Sequence, residues 1–191
     1  FTAAGVLLLW TAGEPPWRAL NHAMTAIATG GFTVTDDSLA GAGPAAKGVY
    51  LGLMVAGAVS FLAHYRLLRE GSATALVSGT EARLFGALLV AGAAVLAGEN
   101  LWLGTAVSPL DSALQWASAL TTTGFASTEL AVWAPAPLLW LVLAMLMGAM
   151  AGSTGGGLKQ RRLALLLASI RWNLRALRRT PREVAAYPFD G

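Results

Sequence analysis

The stretch Ala28-Thr29-Gly30-Gly31-Phe32 ends a short apolar segment, and Thr121-Thr122-Thr123-Gly124-Phe125 ends a second one in the same way. A shift of 93 positions places the first segment on the second without a gap. The matched pairs are Pro16 with Pro109, Ala26 with Ala119, Thr29 with Thr122, Gly31 with Gly124, Phe32 with Phe125 and Thr35 with Thr128. Internal repeats in membrane proteins usually surround a site at the interface between the repeats. We therefore expect the functional residues in these two loops.

The composition indicates a chain that is surrounded by lipid. Its 191 residues are 55% hydrophobic and only 12% charged, whereas soluble domains average about 25% charged residues. The high apolar content excludes a disordered chain. The lack of cysteine excludes a disulfide-stapled module and a cysteine-based metal or redox site. We predict an all-α membrane protein.

The lengths of the uncharged runs separate two kinds of helix. A spanning helix needs about 20 apolar residues, whereas a helix of about ten residues covers only about 15 Å, half of the hydrocarbon core. Residues 19–35 and 112–128 are rich in small and polar residues and are followed by acids, so we predict half-helices that enter and turn back. Short buried helices with polar ends are the alternative. Spanning helices are predicted at 1–13 (the end of one), 48–65, 84–103 and 130–158.

These elements form two units of helix, half-helix and helix. We place the first unit at residues 1–70, a cytoplasmic linker at 71–80, the second unit at 81–182 with a glycine-rich break in its last helix, and a tail at 183–191. The chain begins with Phe1 inside an apolar run, which we interpret as a piece of a longer protein.

The basic residues predict the orientation. All Lys and Arg residues except Arg18 and Lys47 fall on one side of the scheme, and the positive-inside rule places that side in the cytoplasm of a multi-pass inner-membrane protein. Both half-helices then enter from outside. The outer mouth has a net negative charge that would concentrate cations. Its acids are Glu14, Asp36, Asp37, Glu99, Asp111 and Glu129.

The half-helix ends suit a cation. A half-helix that enters from outside points its partially negative C-terminal end at mid-membrane. Threonine and glycine then allow a strand whose carbonyl oxygens replace the water shell of an ion. A helix C-cap with a hydrophobic contact is the competing interpretation, but its duplication favours an ion filter, packed from behind by Phe32 and Phe125. The candidate filter residues are Thr29, Gly30, Gly31, Thr122, Thr123 and Gly124.

The second half of the chain also carries a glycine cluster. Three consecutive glycines break a helix, since each costs about 1 kcal/mol relative to alanine. A phosphate loop is excluded because Leu158 separates the last glycine from Lys159 and no strand precedes the cluster. Close helix packing through small residues remains compatible with a flexible loop that obstructs or clears a pore. The candidate gate residues are Gly152, Ser153, Thr154, Gly155, Gly156, Gly157 and Lys159.

Residues 19–32, 119–127 and 151–159 together carry a family resemblance. The chain resembles the Trk/Ktr/HKT superfamily of cation-translocating membrane subunits, most closely the bacterial TrkH and KtrB type. The resemblance implies four such units around one pore, of which this chain supplies the second and third. It also implies that the glycine-rich break is the gate, and that the first and fourth units are missing from this chain.

The resemblance further implies K⁺, or possibly Na⁺, as the transported ion, with no bound cofactor and no metal beyond that cation. Gly31 and Gly124 favour potassium. The implied partners are the lipid bilayer, a second copy in a homodimer and a cytoplasmic nucleotide-binding regulatory subunit, with no nucleic acid. A non-transporting membrane scaffold is one alternative. A polytopic membrane enzyme is another, but His22 and His64 lack further metal ligands at helical spacing and are assigned to packing.

Overall fold

The computed structural model describes residues 1–176, in which every regular element is a helix. The predicted all-α fold is therefore confirmed. The predicted end of the second unit at 182, the tail 183–191, and Arg178, Arg179 and Arg182, which the positive-inside rule assigns to the cytoplasm, lie outside the described residues. The helices are α1 (Thr2–Thr11), α2 (Pro16–Ile27), α3 (Pro44–Ala58), α4 (Phe61–Glu70), α5 (Thr80–Trp102), α6 (Pro109–Leu120), α7 (Pro135–Met147) and α8 (Gln160–Ala176), with 3₁₀ turns at Ala73–Leu76 and Leu130–Val132.

The two half-helices are α2 and α6, and both have 12 residues. Each starts at the proline that the repeat matches, Pro16 or Pro109, which suits the first helical position because its missing N–H needs no partner there. At α6 the Ser108 hydroxyl accepts a hydrogen bond from the Asp111 N–H at 3.1 Å, which caps the helix. Twelve residues rise about 18 Å, too little to cross a bilayer.

Helix α5 is the only single helix within residues 1–176 that is long and apolar enough to cross a membrane. It has 23 residues and coincides with the predicted span at 84–103. Helices α3 and α4 satisfy the same criterion only as a pair.

The continuous span predicted at 48–65 is wrong. The chain breaks between α3 and α4 at Val59 and Ser60, and the two helices bend by 99°. Neither residue is glycine or proline, so the break itself contains no strong helix-breaking residue. The backbone N–H and C=O groups that lose their helical partners at the break bond to the 148–159 segment instead. The break therefore leaves fewer unpaired backbone groups inside a membrane protein.

The break predicted from consecutive glycines is present, because α7 ends at Met147 and α8 begins only at Gln160. The intervening segment is hydrogen-bonded to the α3–α4 break. Ala58 O accepts from Met150 N at 3.2 Å, and Phe61 N donates to Gly152 O at 2.8 Å. The third helix of each unit is thus interrupted, and the two interruptions lie side by side.

Half-helix α6 lies in the middle of the molecule and is buried from Leu114 to Leu120. Its Leu114 and Ala117 belong to a core formed with α1, α2 and α3, whereas its Trp116 and Leu120 belong to a second core formed with α5 and α7. This packing fixes the end of α6 between the two units.

Candidate ion filter and gate loop

The ends of α2 and α6 have the same backbone geometry. Thr29 and Thr122 both take positive φ angles of 49° and 57°, a conformation that is uncommon outside glycine. Thr29 N donates to Ala26 O at 3.1 Å, and Thr122 N donates to Ala119 O at 3.0 Å. The 93-residue repeat seen in the sequence therefore extends to individual hydrogen bonds.

The two loops that follow are in direct contact. Gly31 has a φ of 70°, and a Cβ atom there would lie 2.0 Å from the carbonyl oxygen of Thr123. Only glycine permits this approach. Gly124 has a φ of 92°, but a Cβ atom there would meet nothing within 4 Å. The first loop thus abuts the second, while Gly124 faces open space.

The backbone oxygens of the two loops are uncommitted. Within residues 1–176, no hydrogen bond ends on a carbonyl oxygen of the six candidate filter residues. The bonds in this region end instead on the preceding carbonyls, such as Ala28 O and Thr121 O. Most backbone carbonyls of folded proteins are paired, so two adjoining loops with free oxygens offer ligands to a cation.

Side chains of the half-helices hold the strands that leave the filter. Phe32 N donates to the Thr25 hydroxyl at 3.0 Å, and the Ser118 hydroxyl donates to Phe125 O at 2.8 Å. In the second unit the next residue is held by the first unit, because Ala126 N donates to the Ser38 hydroxyl at 3.1 Å.

Two further supports were missed by sequence reasoning. His22 Nε2 accepts from Val34 N at 3.2 Å, and Gln115 Oε1 accepts from Ser127 N at 2.9 Å. Both side chains are buried. The two residues occupy equal positions in the 93-residue repeat, which could have revealed them. Histidine and glutamine are different residue types, however, so the pair is not among the sequence matches.

The two filter phenylalanines differ in environment. Phe125 is 1% exposed and packs on the rings of His22 and Tyr50, with centroids 5.9 and 5.7 Å away. Phe32 is 81% exposed. The predicted packing from behind therefore holds only for Phe125, because it contacts the first unit, whereas Phe32 has no preceding unit to contact within residues 1–176.

The 148–159 segment lies against the end of the first half-helix. The Thr154 hydroxyl is 3.1 Å from Ile27 O, at the last residue of α2, and 2.9 Å from Gly57 O of α3. The Thr29 hydroxyl lies 3.2 Å from the same Thr154 oxygen. One threonine thus connects the glycine segment to a filter residue and to the α3–α4 break.

The same segment also reaches the second half-helix. Gly156 N donates to the Thr122 hydroxyl, and a Cβ atom on Gly155 would lie 2.8 Å from Thr121 O. Lys159 folds its ammonium group back onto Gly155 O. The predicted gate residues Thr154 to Gly156 therefore lie directly against both filter loops, and Lys159 supports them from the α8 side.

Glu81, at the start of α5, has a role that its sequence context does not reveal. Its Oε1 atom accepts from Ala151 N and, at 3.2 Å, from Arg161 N. This carboxylate ties the glycine segment to the beginnings of α5 and α8.

The end of the molecule predicted to face outside contains two ion pairs. Arg18 pairs with Glu14 at 3.2 Å, and Lys47 pairs with Asp111 at 2.7 Å. Burial opposes ionisation of Asp111, but hydrogen bonds from Lys47 and Ser108 lower the pKa of that carboxyl overall. Both outer basic residues are thus matched by acids, whereas Asp36, Asp37 and Glu129 are exposed. The mouth keeps its acidic character.

Across residues 1–176, no three His, Cys, Asp or Glu side chains converge as a metal-binding group.

Known proteins are similar to this chain in sequence and in fold. The family model described as "TrkH: Cation transport protein" matches residues 5–191. The potassium uptake protein TrkI of Halomonas elongata is 30% identical over 93% of this chain, and TrkH of Salmonella typhimurium is 32% identical over 86%. The crystal structure of the potassium transporter TrkH from Vibrio parahaemolyticus superposes with a TM-score of 0.88 over 96% of this chain, at 29% identity.

The chain spans only part of these relatives, 37% of TrkI, 35% of the Salmonella TrkH and 41% of the Vibrio structure. The family match nevertheless covers nearly the whole chain, and it includes both half-helices and the glycine segment. The chain belongs to the TrkH family of cation transport proteins.

Proposed function

We propose that this chain supplies two of the units that line a potassium-uptake pore. The observation that carries the proposal is the pair of adjoining loops, equal in backbone geometry, whose carbonyl oxygens accept no hydrogen bond within residues 1–176. Relatives named as potassium uptake proteins support K⁺ as the ion. They also argue against the membrane-enzyme and scaffold alternatives.

The ion would bind where α2 and α6 end. Both helices direct their partially negative C-termini at the same region, which favours a cation in a low-dielectric setting. Carbonyl oxygens of Thr29, Gly30, Gly31, Thr122, Thr123 and Gly124 would then replace water around K⁺, with Na⁺ as the poorer competitor.

The glycine segment would act as the gate. Thr154, Gly155 and Gly156 lie against the inner ends of both half-helices, so an ion leaving the filter on this side meets them next. The segment has no helical hydrogen-bond ladder of its own. It can therefore move without the loss of a helix.

The complete pore would need more than this chain. The exposed Phe32 and the incomplete coverage of the relatives support further units on the open side. We propose units 1–70 and 81–182 as the second and third of four, a multi-pass location in the inner membrane, a homodimer, and control by a cytoplasmic nucleotide-binding subunit.

Gly124→Ser in the full-length protein tests the filter. The new side chain would project into the open space beside Gly124 and strain a φ of 92°. We expect the ratio of K⁺ to Na⁺ uptake into liposomes to fall about tenfold, equivalent to about 1.4 kcal/mol.

Gly104→Ser is the matched control, because Gly104 also has a positive φ of 66° and open space around it but lies away from the filter. It should leave the ratio unchanged. An unchanged ratio in Gly124→Ser would contradict the filter assignment. If the wild-type protein showed no cation flux, the non-transporting scaffold would be the better interpretation.

A further inference from the structure

We infer that His22 and Gln115 are equivalent positioning residues, which hold the two strands leaving the filter and thereby set its ion selectivity. The inference rests on the proposed function. It goes further because it assigns a role to two side chains outside the filter loops.

The two residues make the same bond in each unit. His22 lies 12 residues before Val34, and Gln115 lies 12 residues before Ser127. In both units a half-helix side chain accepts the backbone N–H of the residue two positions after the filter phenylalanine, at 3.2 and 2.9 Å. The chemistry that the two units share is a buried neutral acceptor, which imidazole and amide groups both provide.

The hydrogen-bond network assigns the protonation of His22. Because Nε2 accepts from Val34 N, that nitrogen carries no proton, and the proton resides on Nδ1. Nδ1 lies 2.9 Å from the Tyr50 hydroxyl, which is the acceptor for that proton. Tyr50 therefore selects the tautomer of His22 that can hold Val34.

Burial of the acceptors makes the loss of these hydrogen bonds costly. His22 is 0% exposed and Gln115 is 3% exposed, so both acceptors lie in the protein interior; the Gln115 bond is fully buried and the His22 bond is partly buried. A backbone N–H that loses its buried acceptor must remain unsatisfied or move towards another one. Movement of Val34 or Ser127 would shift the short segment that connects it to the filter carbonyls.

His22 also links the two loops. Its ring packs on Phe125 of the second filter loop at a centroid distance of 5.9 Å while its Nε2 holds the first strand. Tyr50 packs on the same phenylalanine at 5.7 Å. The aromatic cluster of His22, Tyr50 and Phe125 thus contributes to the spacing between the two loops, together with the contact of Gly31 with Thr123 O.

The test replaces His22 in the full-length protein and measures K⁺ and Na⁺ uptake into liposomes separately. We expect His22→Ala to lower the K⁺-to-Na⁺ ratio about tenfold, since the Val34 N–H loses the side-chain acceptor that holds it in place. His22→Gln installs the acceptor that the second unit uses and should keep the ratio within about twofold of wild type. Tyr50→Phe frees the tautomer and should give an intermediate ratio.

The second unit provides an independent pair of variants. Gln115→Met keeps the side-chain length but removes the acceptor, and it should lower the ratio as His22→Ala does. Gln115→His should largely retain it. Asn21→Ala is the control, because within residues 1–176 the Asn21 side chain donates only to Trp17 O of its own helix.

Rescue by the acceptor-bearing variants distinguishes positioning from packing. An unchanged ratio in both His22→Ala and Gln115→Met would overturn the inference, as would equal losses in His22→Gln and His22→Ala. If His22→Ala does not reach the membrane, the Gln115 pair decides. A wild-type protein that shows no K⁺ preference would instead overturn the proposed function.

Discussion

At the residue scale, Gly31 and Gly124 of the candidate filter occupy equal positions in the repeat but have different surroundings. Both have positive φ angles, 70° at Gly31 and 92° at Gly124. Gly31 is pressed against the carbonyl of Thr123, whereas Gly124 faces open space. The difference arises because each filter loop has a neighbour on only one side within residues 1–176. A side chain would therefore clash at Gly31 but not at Gly124, although the two glycines occupy equal positions in the motif.

Replacement of each glycine by alanine tests this difference. Gly31→Ala should destabilise the protein strongly or prevent its accumulation, because the Cβ atom would lie 2.0 Å from a backbone oxygen. Gly124→Ala should cost only backbone strain of about 1–3 kcal/mol. Thermal unfolding in detergent measures both, and a Gly31→Ala protein as stable as Gly124→Ala would show that the two loops are not in contact.

At the element scale, the interrupted third helices are the main departure from regular structure. The α7–α8 interruption was predictable because three consecutive glycines weaken a helix. The α3–α4 interruption was not, because Val59 and Ser60 are compatible with a helix. The α3–α4 interruption is stabilised by hydrogen bonds to the α7–α8 segment, such as Thr154 N to Gly57 O at 3.3 Å. The α3–α4 interruption thus depends on the α7–α8 segment beside it and not on its own sequence alone.

Thr154 gives a test of the gate at this scale. Thr154→Val removes the hydroxyl that lies near Ile27 O, Gly57 O and the Thr29 hydroxyl, and it keeps the side-chain shape. We expect faster K⁺ flux, because the segment is held less firmly under the filter. Deletion of residues 153–156 should raise the flux further.

Thr154→Ser retains the hydroxyl and is the matched control for that experiment, with flux expected near wild type. If neither Thr154→Val nor the deletion changed the flux in liposomes, the segment would not be the gate.

At the scale of the whole molecule, the two units are joined at the start of α6 as well as at the candidate filter. Lys47 follows the first unit's half-helix and loop, and it pairs with Asp111 in the first turn of α6 at 2.7 Å. Both side chains are 13% exposed, so solvent screens the pair only partly. The bond lies at the start of the second half-helix, where an acidic group also suits the helix dipole.

A double-mutant cycle measures this connection. Lys47→Met, Asp111→Asn and the double variant should give a coupling free energy of about 1–3 kcal/mol in chemical unfolding, as expected for a largely buried pair in contact. Additive effects, with coupling below about 0.3 kcal/mol, would show that the pair does not hold the units together.

The sequence alone determined the local features of this protein. Proline starts, helix lengths, the two threonine-glycine loops and the glycine break follow from backbone preferences, and these preferences act over a few neighbouring residues. The repeat also made the equivalence of Thr29 and Thr122 predictable, because matched residues at a constant shift favour matched backbone conformations.

Only the tertiary structure decided which groups separated in sequence would meet. The break at Val59, the contact of Gly31 with Thr123, the carboxylate of Glu81 on the glycine segment, and the bonds of His22 and Gln115 all join different elements. Such contacts depend on how helices pack, and one segment's periodicity or composition does not contain that information. In a protein whose exposed surface faces lipid, backbone groups at helix breaks must also find hydrogen-bond partners inside the protein. Those partners become available only when the helices have assembled.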